Sequence, residues 1–347
     1  KYVANIMQKE VHTEDTVARL GGDEFVLVIT SFQNESAVAE IASNILSNLE
    51  APIQLKDKQI VITGSIGIAL YPHDGSTTQS LMRAADLAMF HAKEEGKNRF
   101  QFFHDEMNIR AQNRLSIEHA LREAIKSESF QLYYQPQVHI QTNRIIGFEA
   151  LIRWQDEDGQ NIPPSDFIPI AEESGLIKPI GDWVIRTSIS DWVDIIQAGF
   201  TDCKLAINVS AYQFKNADHL CKIITGALDK HPSCQYENLT IELTESTLIE
   251  DVEGTISTLN TLKALGINLS IDDFGTGYSS LNYLKRFPID VLKIDRCFID
   301  DMLKSEQNTN IVLLIINIAH TLGLSVVAEG VETVEQSNAI RNLGAEE

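Results

Sequence analysis

The sequence predicts an α/β chain in two parts, a smaller α/β unit followed by a TIM-like (β/α)8 barrel whose last strand is cut off. Three observations carry this. From Phe130 onward, short apolar runs of period two alternate with longer runs of helical spacing, as in a parallel sheet with crossover helices. Strands fall near 131–138, 145–153, 204–209, 239–244, 267–272, 291–295 and 324–329, enough repeats to suggest closure into a barrel. A length of 347 residues suits one barrel and a smaller piece.

Residues 1–104 form the first part. Val17–Leu20 and Phe25–Ile29 flank Gly21-Gly22-Asp23-Glu24, a hairpin with glycines at its tip. Ala37–Leu49 and Leu81–Ala92 have helical spacing, Ile60–Leu70 is strand-like, and Asn98–Phe103 closes the unit. The second part is taken as 105–347. It opens with a connecting helix from about Glu106 to Lys126, with Leu115, Ala120, Leu121, Ala124 and Ile125 on its apolar side. A later helix, about Leu248 to Leu265, aligns Leu248, Val252, Ile256, Leu259 and Leu262 and stops at Gly266. The run Ile311–Ala319 reads as a short buried helix. The last helix, about Val334 to Leu343, ends where an eighth strand should begin.

Composition narrows the function. A formal charge of −21 argues against a nucleic-acid polymer as partner, because phosphate backbones select basic surfaces. It leaves room for a small phosphorylated ligand held through metal ions. Cys203, Cys221, Cys234 and Cys297 form no CxxC pair, which suits a reduced, cytoplasmic chain. No apolar run approaches the roughly 20 residues of a membrane span, and no signal peptide is present. Because the chain opens at Lys1, it is expected to be a piece of something longer, with any membrane anchor in the N-terminal region outside it.

The stretch around which the chain is organised is Ile267–Leu281. It begins as a strand, ends in Asp272-Asp273, and breaks at Gly275 and Gly277. Adjacent carboxylates raise each other's pKa, so a cation is expected there. Mg2+ or Mn2+ suits an oxygen-only site, and two carboxylates let one ligand bridge two ions. Strand parity gathers further groups. Glu149 and Arg153, Asn208, Glu242, Asp272, Lys293 and Glu329 each oppose the apolar set of their own strand. Six strands therefore point polar groups inward, mostly near their C-terminal ends, where barrel active sites are built. No His or Cys shares these positions, which argues against zinc. Oxygen ligands, a double Asp and a phosphate-seeking Arg describe two-metal phosphoester hydrolysis.

Glu149-Ala150-Leu151-Ile152-Arg153-Trp154 resembles the signature of EAL-type cyclic di-GMP phosphodiesterases. The likeness extends through Tyr134-Gln135-Pro136, Asn208-Val209-Ser210, Glu242–Ser246, Asp272–Leu281, Lys293-Ile294-Asp295 and Ala328–Glu332. The resemblance implies hydrolysis of cyclic di-GMP to linear pGpG with two Mg2+ or Mn2+ ions. It places Glu149, Asn208, Glu242 and Asp272 on one metal and Asp272 with Asp273 on the other. Lys293 and Glu329 would position and activate water, Gln135 and Arg153 would touch substrate, and Glu245 would steady the loop after Asp273. Trp154 would pack between helices and barrel yet lie close enough to Arg153 to border a guanine. A homodimer through this part is implied, and a Gln-Gly-Tyr segment on the last strand is expected beyond Glu347.

The first part resembles the GGDEF family of diguanylate cyclases, on Arg19–Phe25 and on Ala92–Asn98. That resemblance makes Asp23 a metal ligand, puts Glu24 beside the substrate, and sets Lys93 and Lys97 on phosphates, with GTP as the ligand. The family's N-terminal half is missing. Its inhibitory Arg-x-x-Asp is here His12-Thr13-Glu14-Asp15, which loses the bidentate fork. Two alternatives to the hydrolase stay open at this level: a cyclase acting on GTP in the full-length protein, and a receptor that binds cyclic di-GMP without cleaving it. Retention of the metal and water-positioning residues favours the hydrolase.

Overall fold

A computed structural model describes the chain apart from residues 56–57, 157–158, 250 and 277–280, and apart from the side chains of 55, 58, 109–112, 249 and 281–282. The chain folds as two units, Lys1–Ser116 and Ile117–Glu347. The division falls inside the helix Asp105–Ser127, which the sequence places at about Glu106 to Lys126.

In the first unit, β1 (Thr16–Gly21) and β2 (Glu24–Val28) pair antiparallel as the expected hairpin. β3 (Ile53–Leu55) and β4 (Lys58–Ile60) form a second antiparallel pair, and β5 (Ile66–Ile68) runs parallel to β6 (Phe100–Phe102). The single strand expected over Ile60–Leu70 is thus two strands in two sheets. Helices Glu35–Glu50 and Thr78–Glu94 start on Asn34 and Thr77, whose side chains accept from Ala37 N and Ser80 N. Such caps satisfy the first free N–H groups.

The second unit is built on one curled sheet. Its strands are β7 (Phe130–His139), β8 (Arg144–Gln155), the short β9 (Asn161–Ile162), β10 (Lys204–Asn208), β11 (Leu239–Thr244), β12 (Asn268–Phe274), β13 (Val291–Ile294) and β14 (Ser325–Ala328). The order is β14-β13-β12-β11-β10-β8-β7, with β9 paired to β8. From β8 to β14 the path is parallel, as expected. β7 departs from the expected parallel sheet, because it pairs antiparallel with β8. The turn between them is too short for a crossover, which needs a dozen or more residues, so only a hairpin can form. At the other end, Ala328 N donates to Glu347 O, Glu347 N to Val326 O, and Ile140 N to Glu346 O. Glu346 and Glu347 therefore bond to both ends of the strand path, in the place where the eighth strand was expected to begin.

The parity read from the sequence holds. Leu205, Ile207, Ile241, Leu269, Ile271, Leu292, Ile294 and Val326 are buried in one core under the helices. Ala206, Val291 and Val327 are also buried but lie outside that core, on the opposite parity. Two helices differ from expectation. The one expected over Leu248–Leu265 is Glu245–Ile249 and then Val252–Ala264. Asp251 restarts it by accepting from Gly254 N at 3.1 Å, an Asp side chain competing for backbone N–H. Ile311–Ala319 lies in Glu306–Thr321, which is amphipathic rather than buried, with Ile311 and Leu314 exposed. Beyond the loop after Asp273 a short helix is described over Leu281–Leu284, and Gly277 lies outside the described residues.

Trp154 packs in the core as expected, but its expected place at the border of a guanine is corrected. It is 2% exposed and packs against Phe130 and Phe167 with centroids 6.1 and 5.4 Å away. Alternation along β8 sends it to the face opposite Arg153, so it cannot border a ligand beside that residue. Trp154→Ala is expected to cost about 3–5 kcal/mol of stability in denaturant unfolding. An unchanged midpoint would contradict this placement.

Candidate active site

Lys293 is the centre of the site. It lies in the middle of β13, a strand buried along its whole length, and its side chain is 1% exposed. Its Nζ meets Glu149 Oε2 at 3.1 Å, Glu242 Oε2 at 2.8 Å, Asp272 Oδ1 at 3.2 Å and Glu329 Oε1 at 2.6 Å. Strand register makes this convergence. Asn208 stands opposite Glu242, Thr244 opposite Asp272, and Lys293 opposite Val327, two residues before Glu329. Glu149 stands opposite Ala206, one side-chain layer below Asn208, and Asn208 Nδ2 donates to Glu149 Oε1 at 2.7 Å. Glu329 lies one residue past β14, where its N–H donates to Ile294 O at 3.1 Å.

Period two alone would turn Asp273 away from this cluster. A register shift in β12 prevents that. Ile271 pairs with Leu292 and Phe274 with Ile294, so Asp272 and Asp273 together stand opposite Lys293 alone. This is a β-bulge, which adds one residue and re-aims the strand. Asp273 takes φ +54°, a left-handed conformation that Asp tolerates better than most residues. Carboxylate oxygens of Asp272, Asp273 and Glu329 then lie within 4.8 Å of one another, as do those of Glu149, Glu242 and Asp272. Asp272 belongs to both groups.

One ammonium faces five carboxylates, and the proton affinities follow. Burial alone would lower the Lys293 pKa, but Glu242, Asp272, Glu149 and Glu329 raise it further than burial lowers it. Lys293 therefore stays charged. Burial raises Glu242 well above the usual range, with Lys293 opposing and Glu149 and Asp272 adding to the rise. Burial, then the Asp272 and Asp295 carboxylates, push Asp273 up to about 6. Burial also pushes Glu329 up to about 7, against the pull of Lys293. With every carboxylate ionised the cluster would carry a charge of −4, counted from five carboxylates and one ammonium. Two divalent cations match that charge, and an all-oxygen donor set suits hard ions. The residues present thus fit a divalent metal centre.

The remaining candidates divide. Glu245 is 2% exposed and its Oε2 accepts from Gly275 N at 2.9 Å, directly after the Asp pair. Gly275 has φ +100°, and a Cβ there would press on the Phe298 ring at 2.7 Å, so only glycine fits. Gln135 stands opposite Glu149 on β7. Arg153 lies four residues along β8 from Glu149, over the Tyr133 ring at 5.6 Å. Asp23, Lys93 and Lys97 belong to the first unit and are exposed. Asp23 and Glu24 lie at the hairpin tip, Lys93 in the last turn of Thr78–Glu94, and Lys97 just after it at φ +60°. Neither acidic group able to hold a metal among the described residues includes Asp23. The sequence reading gave Asp295 no role. Its position two residues after Lys293, on the same parity, was the available signal. In the structure its carboxyl bears on Asp273, and it caps the next helix by accepting from Cys297 N at 2.8 Å.

Residues 118–347 match the EAL domain family, and residues 1–99 match the family described as diguanylate cyclase, GGDEF domain. The chain is 42% identical over 342 residues to the bifunctional diguanylate cyclase/cyclic di-GMP phosphodiesterase MucR of Pseudomonas aeruginosa, covering 99% of this chain and 50% of that protein. It is 38% identical over 334 residues to the cyclic di-GMP phosphodiesterase PdeR of Escherichia coli, covering 96% and 50%. Among solved structures it resembles the PaMucR phosphodiesterase in complex with c-di-GMP, with a TM-score of 0.63 and 41% identity over 67% of this chain and 93% of that one. A structure of the EAL enzyme Bd1971 with cAMP and cyclic di-GMP bound gives 0.64 and 30% over 79% and 72%. The chain spans half the length of the curated relatives MucR and PdeR, and less of others. No described helix is long and apolar enough to cross a membrane.

The proton affinities generate a pH prediction. In chelator, Asp273 and Glu329 hold protons in the folded state up to about pH 6 and 7, whereas the unfolded chain loses them near pH 4. The folded state then binds more protons across that window, so stability falls as pH rises through it. The unfolding midpoint of chelated protein should drop between about pH 4 and 7, less steeply in Asp273→Asn, and excess Mg2+ or Mn2+ should flatten the drop. Identical chelated profiles for wild type and variant would contradict the assignment.

Proposed function

Because the chain belongs to the EAL domain family and carries part of a GGDEF domain ahead of it, we propose that it hydrolyses cyclic di-GMP to linear pGpG, using Mg2+ or Mn2+, in second-messenger signalling. The observation that carries the reading is the Lys293 cluster at the C-terminal ends of the parallel strands. The named relatives support the choice of substrate.

Glu149, Asn208, Glu242 and Asp272 would hold one ion, and Asp272 with Asp273 the other. When bound, such ions neutralise phosphate charge and make water more acidic. The protein's own groups do the rest. Glu329, whose carboxyl meets Lys293 Nζ at 2.6 Å and lies within 4.8 Å of the Asp272 and Asp273 oxygens, is placed to act as general base. It takes the proton of the attacking water as the new O–P bond forms and the P–O bond to one ribose breaks, and the released ribose oxygen gains its proton from solvent. Lys293 holds Glu329 in place through the 2.6 Å contact and offers hydrogen bonds to the same region. Arg153 and Gln135 orient the ligand from the neighbouring strands. Glu245 fixes Gly275, and with it the backbone after the two aspartates.

Purified protein incubated with cyclic di-GMP should release pGpG on chromatography, and excess chelator should abolish release. Glu149→Ala should remove at least about 99% of turnover, on the order of the loss seen when a group stabilising transition-state charge is removed. For Lys293→Ala and Glu329→Gln, kcat should fall more than KM rises, since their roles act in the transition state. Full turnover in chelator, or near wild-type rates for Glu149→Ala, would overturn the proposal.

A further inference from the structure

The segment that carries Glu329 has no regular structure of its own. It leaves β14 at Ala328 and enters the helix Val334–Leu343 six residues later. Besides the Glu329 N–H bond to Ile294 O and the Lys293 contact with the Glu329 carboxyl, two side chains from outside the segment bond to it among the described residues. Gln336, 8% exposed, is the first. Its Oε1 accepts from Glu332 N and Thr333 N, each at 2.9 Å, and its Nε2 donates to Ile299 O at 3.2 Å. Arg296 is the second. Its Nη2 meets Glu332 Oε1 at 2.7 Å and its Nε meets Asp300 Oδ2 at 3.1 Å. Its aliphatic stem lies across Gly330, where φ is +73° and any Cβ would run into the Cβ, Cγ and Cδ of Arg296.

These ties bring two parts of the chain together, directly through Arg296 and indirectly through Gln336, which caps the start of the helix Val334–Leu343 and bridges to the Ile299 carbonyl. On one side is the helix Arg296–Asp301, which supplies Arg296 and the Ile299 carbonyl. On the other are Gly330, Glu332 and Thr333. The helix is itself fixed, by Asp295 at its cap and by Ile299, which is fully buried. It begins three residues after Lys293. The frame that places Lys293 therefore also places the segment bearing Glu329, and the 2.6 Å contact between the two depends on both.

We infer that Arg296 and Gln336 are positioning residues. They clamp the Glu329–Thr333 segment to the helix after β13 and so set where the Glu329 carboxyl stands over Lys293. The inference rests on the hydrolysis proposed above. Misplacement of a reacting group by about 1 Å costs up to about a hundredfold in rate, so loosening one of two ties should cost about tenfold.

Two substitutions separate positioning from general support of the fold. Arg296→Met keeps a stem against Gly330 and removes the guanidinium, which is more than half exposed. Gln336→Glu keeps an acceptor for the two N–H groups and loses the donor to Ile299 O. Steady-state turnover of cyclic di-GMP would be measured for wild type, both variants, Glu329→Gln, and each variant combined with Glu329→Gln, with thermal midpoints alongside. The expected result is a fall of about tenfold in kcat for each single variant, with KM within about twofold. In the Glu329→Gln background the further loss should shrink below about twofold, because residues acting through one group are not additive. The same loss in both backgrounds, a change confined to KM, or no change would overturn the inference. If Gln336→Glu fails to fold, Arg296→Met decides alone. A wild type that leaves cyclic di-GMP intact would overturn the hydrolysis reading and this inference with it. Turnover with unaffected variants would overturn this inference only.

Discussion

The site depends on one buried ammonium. Lys293 enters a layer dominated by carboxylates, and it contacts four of them within 3.2 Å. Burying a charge is costly unless it is paired and hydrogen-bonded. Here the pairing is overcomplete on the acidic side, so charge balance is reached through protons or through added cations. The raised proton affinities of Glu242, Asp273 and Glu329 express the first route. Metal binding is the second, and the two compete for the same oxygens. Strand register, the bulge at Asp272–Asp273, and the clamp around Glu329 all act by bringing carboxylates to Lys293.

The same imbalance shapes recognition. A chain of formal charge −21 repels an anionic phosphodiester over most of its surface. On the proposed reading, affinity comes from whatever neutralises the cluster and from Arg153, four residues along β8 from Glu149. That guanidinium is held over Tyr133 and by the Ile152 carbonyl, to which its Nη1 donates at 2.8 Å. Glu245 reaches the site differently. It touches the backbone at Gly275, so its effect passes through the shape of the chain after Asp273.

Much of this was legible in the sequence because barrel strands obey a parity rule. Glu149, Glu242, Asp272, Lys293 and Glu329 each oppose an apolar set, and the structure gathers all of them. What parity could not supply is where it breaks. Asp273 joins the cluster only through a register shift that period-two reasoning would have hidden. The antiparallel entry of β7 was available from the short gap before Arg144, but the strength of the repeat overrode it. Trp154 packs in the core as its sequence suggested, but the same parity, since it alternates with Arg153, keeps it from bordering a ligand there. The helix break at Asp251 was hidden by an unbroken apolar stripe on both sides of a capping residue. Arg296 and Gln336 were invisible as functional residues, because their role follows from the path of a loop and not from local pattern. Asp23, Lys93 and Lys97 lie in the first unit, and their roles rest on the family resemblance alone.

The central claim is that this cluster is built to hold two divalent ions bridged by Asp272. Electron paramagnetic resonance of the protein loaded with two equivalents of Mn2+ tests it most directly. Ions about 3.5–4 Å apart should give an exchange-coupled dimanganese signal, and Asp272→Asn should convert it to isolated six-line Mn2+ spectra. Isolated Mn2+ alone in the wild type, at full loading, would contradict the account.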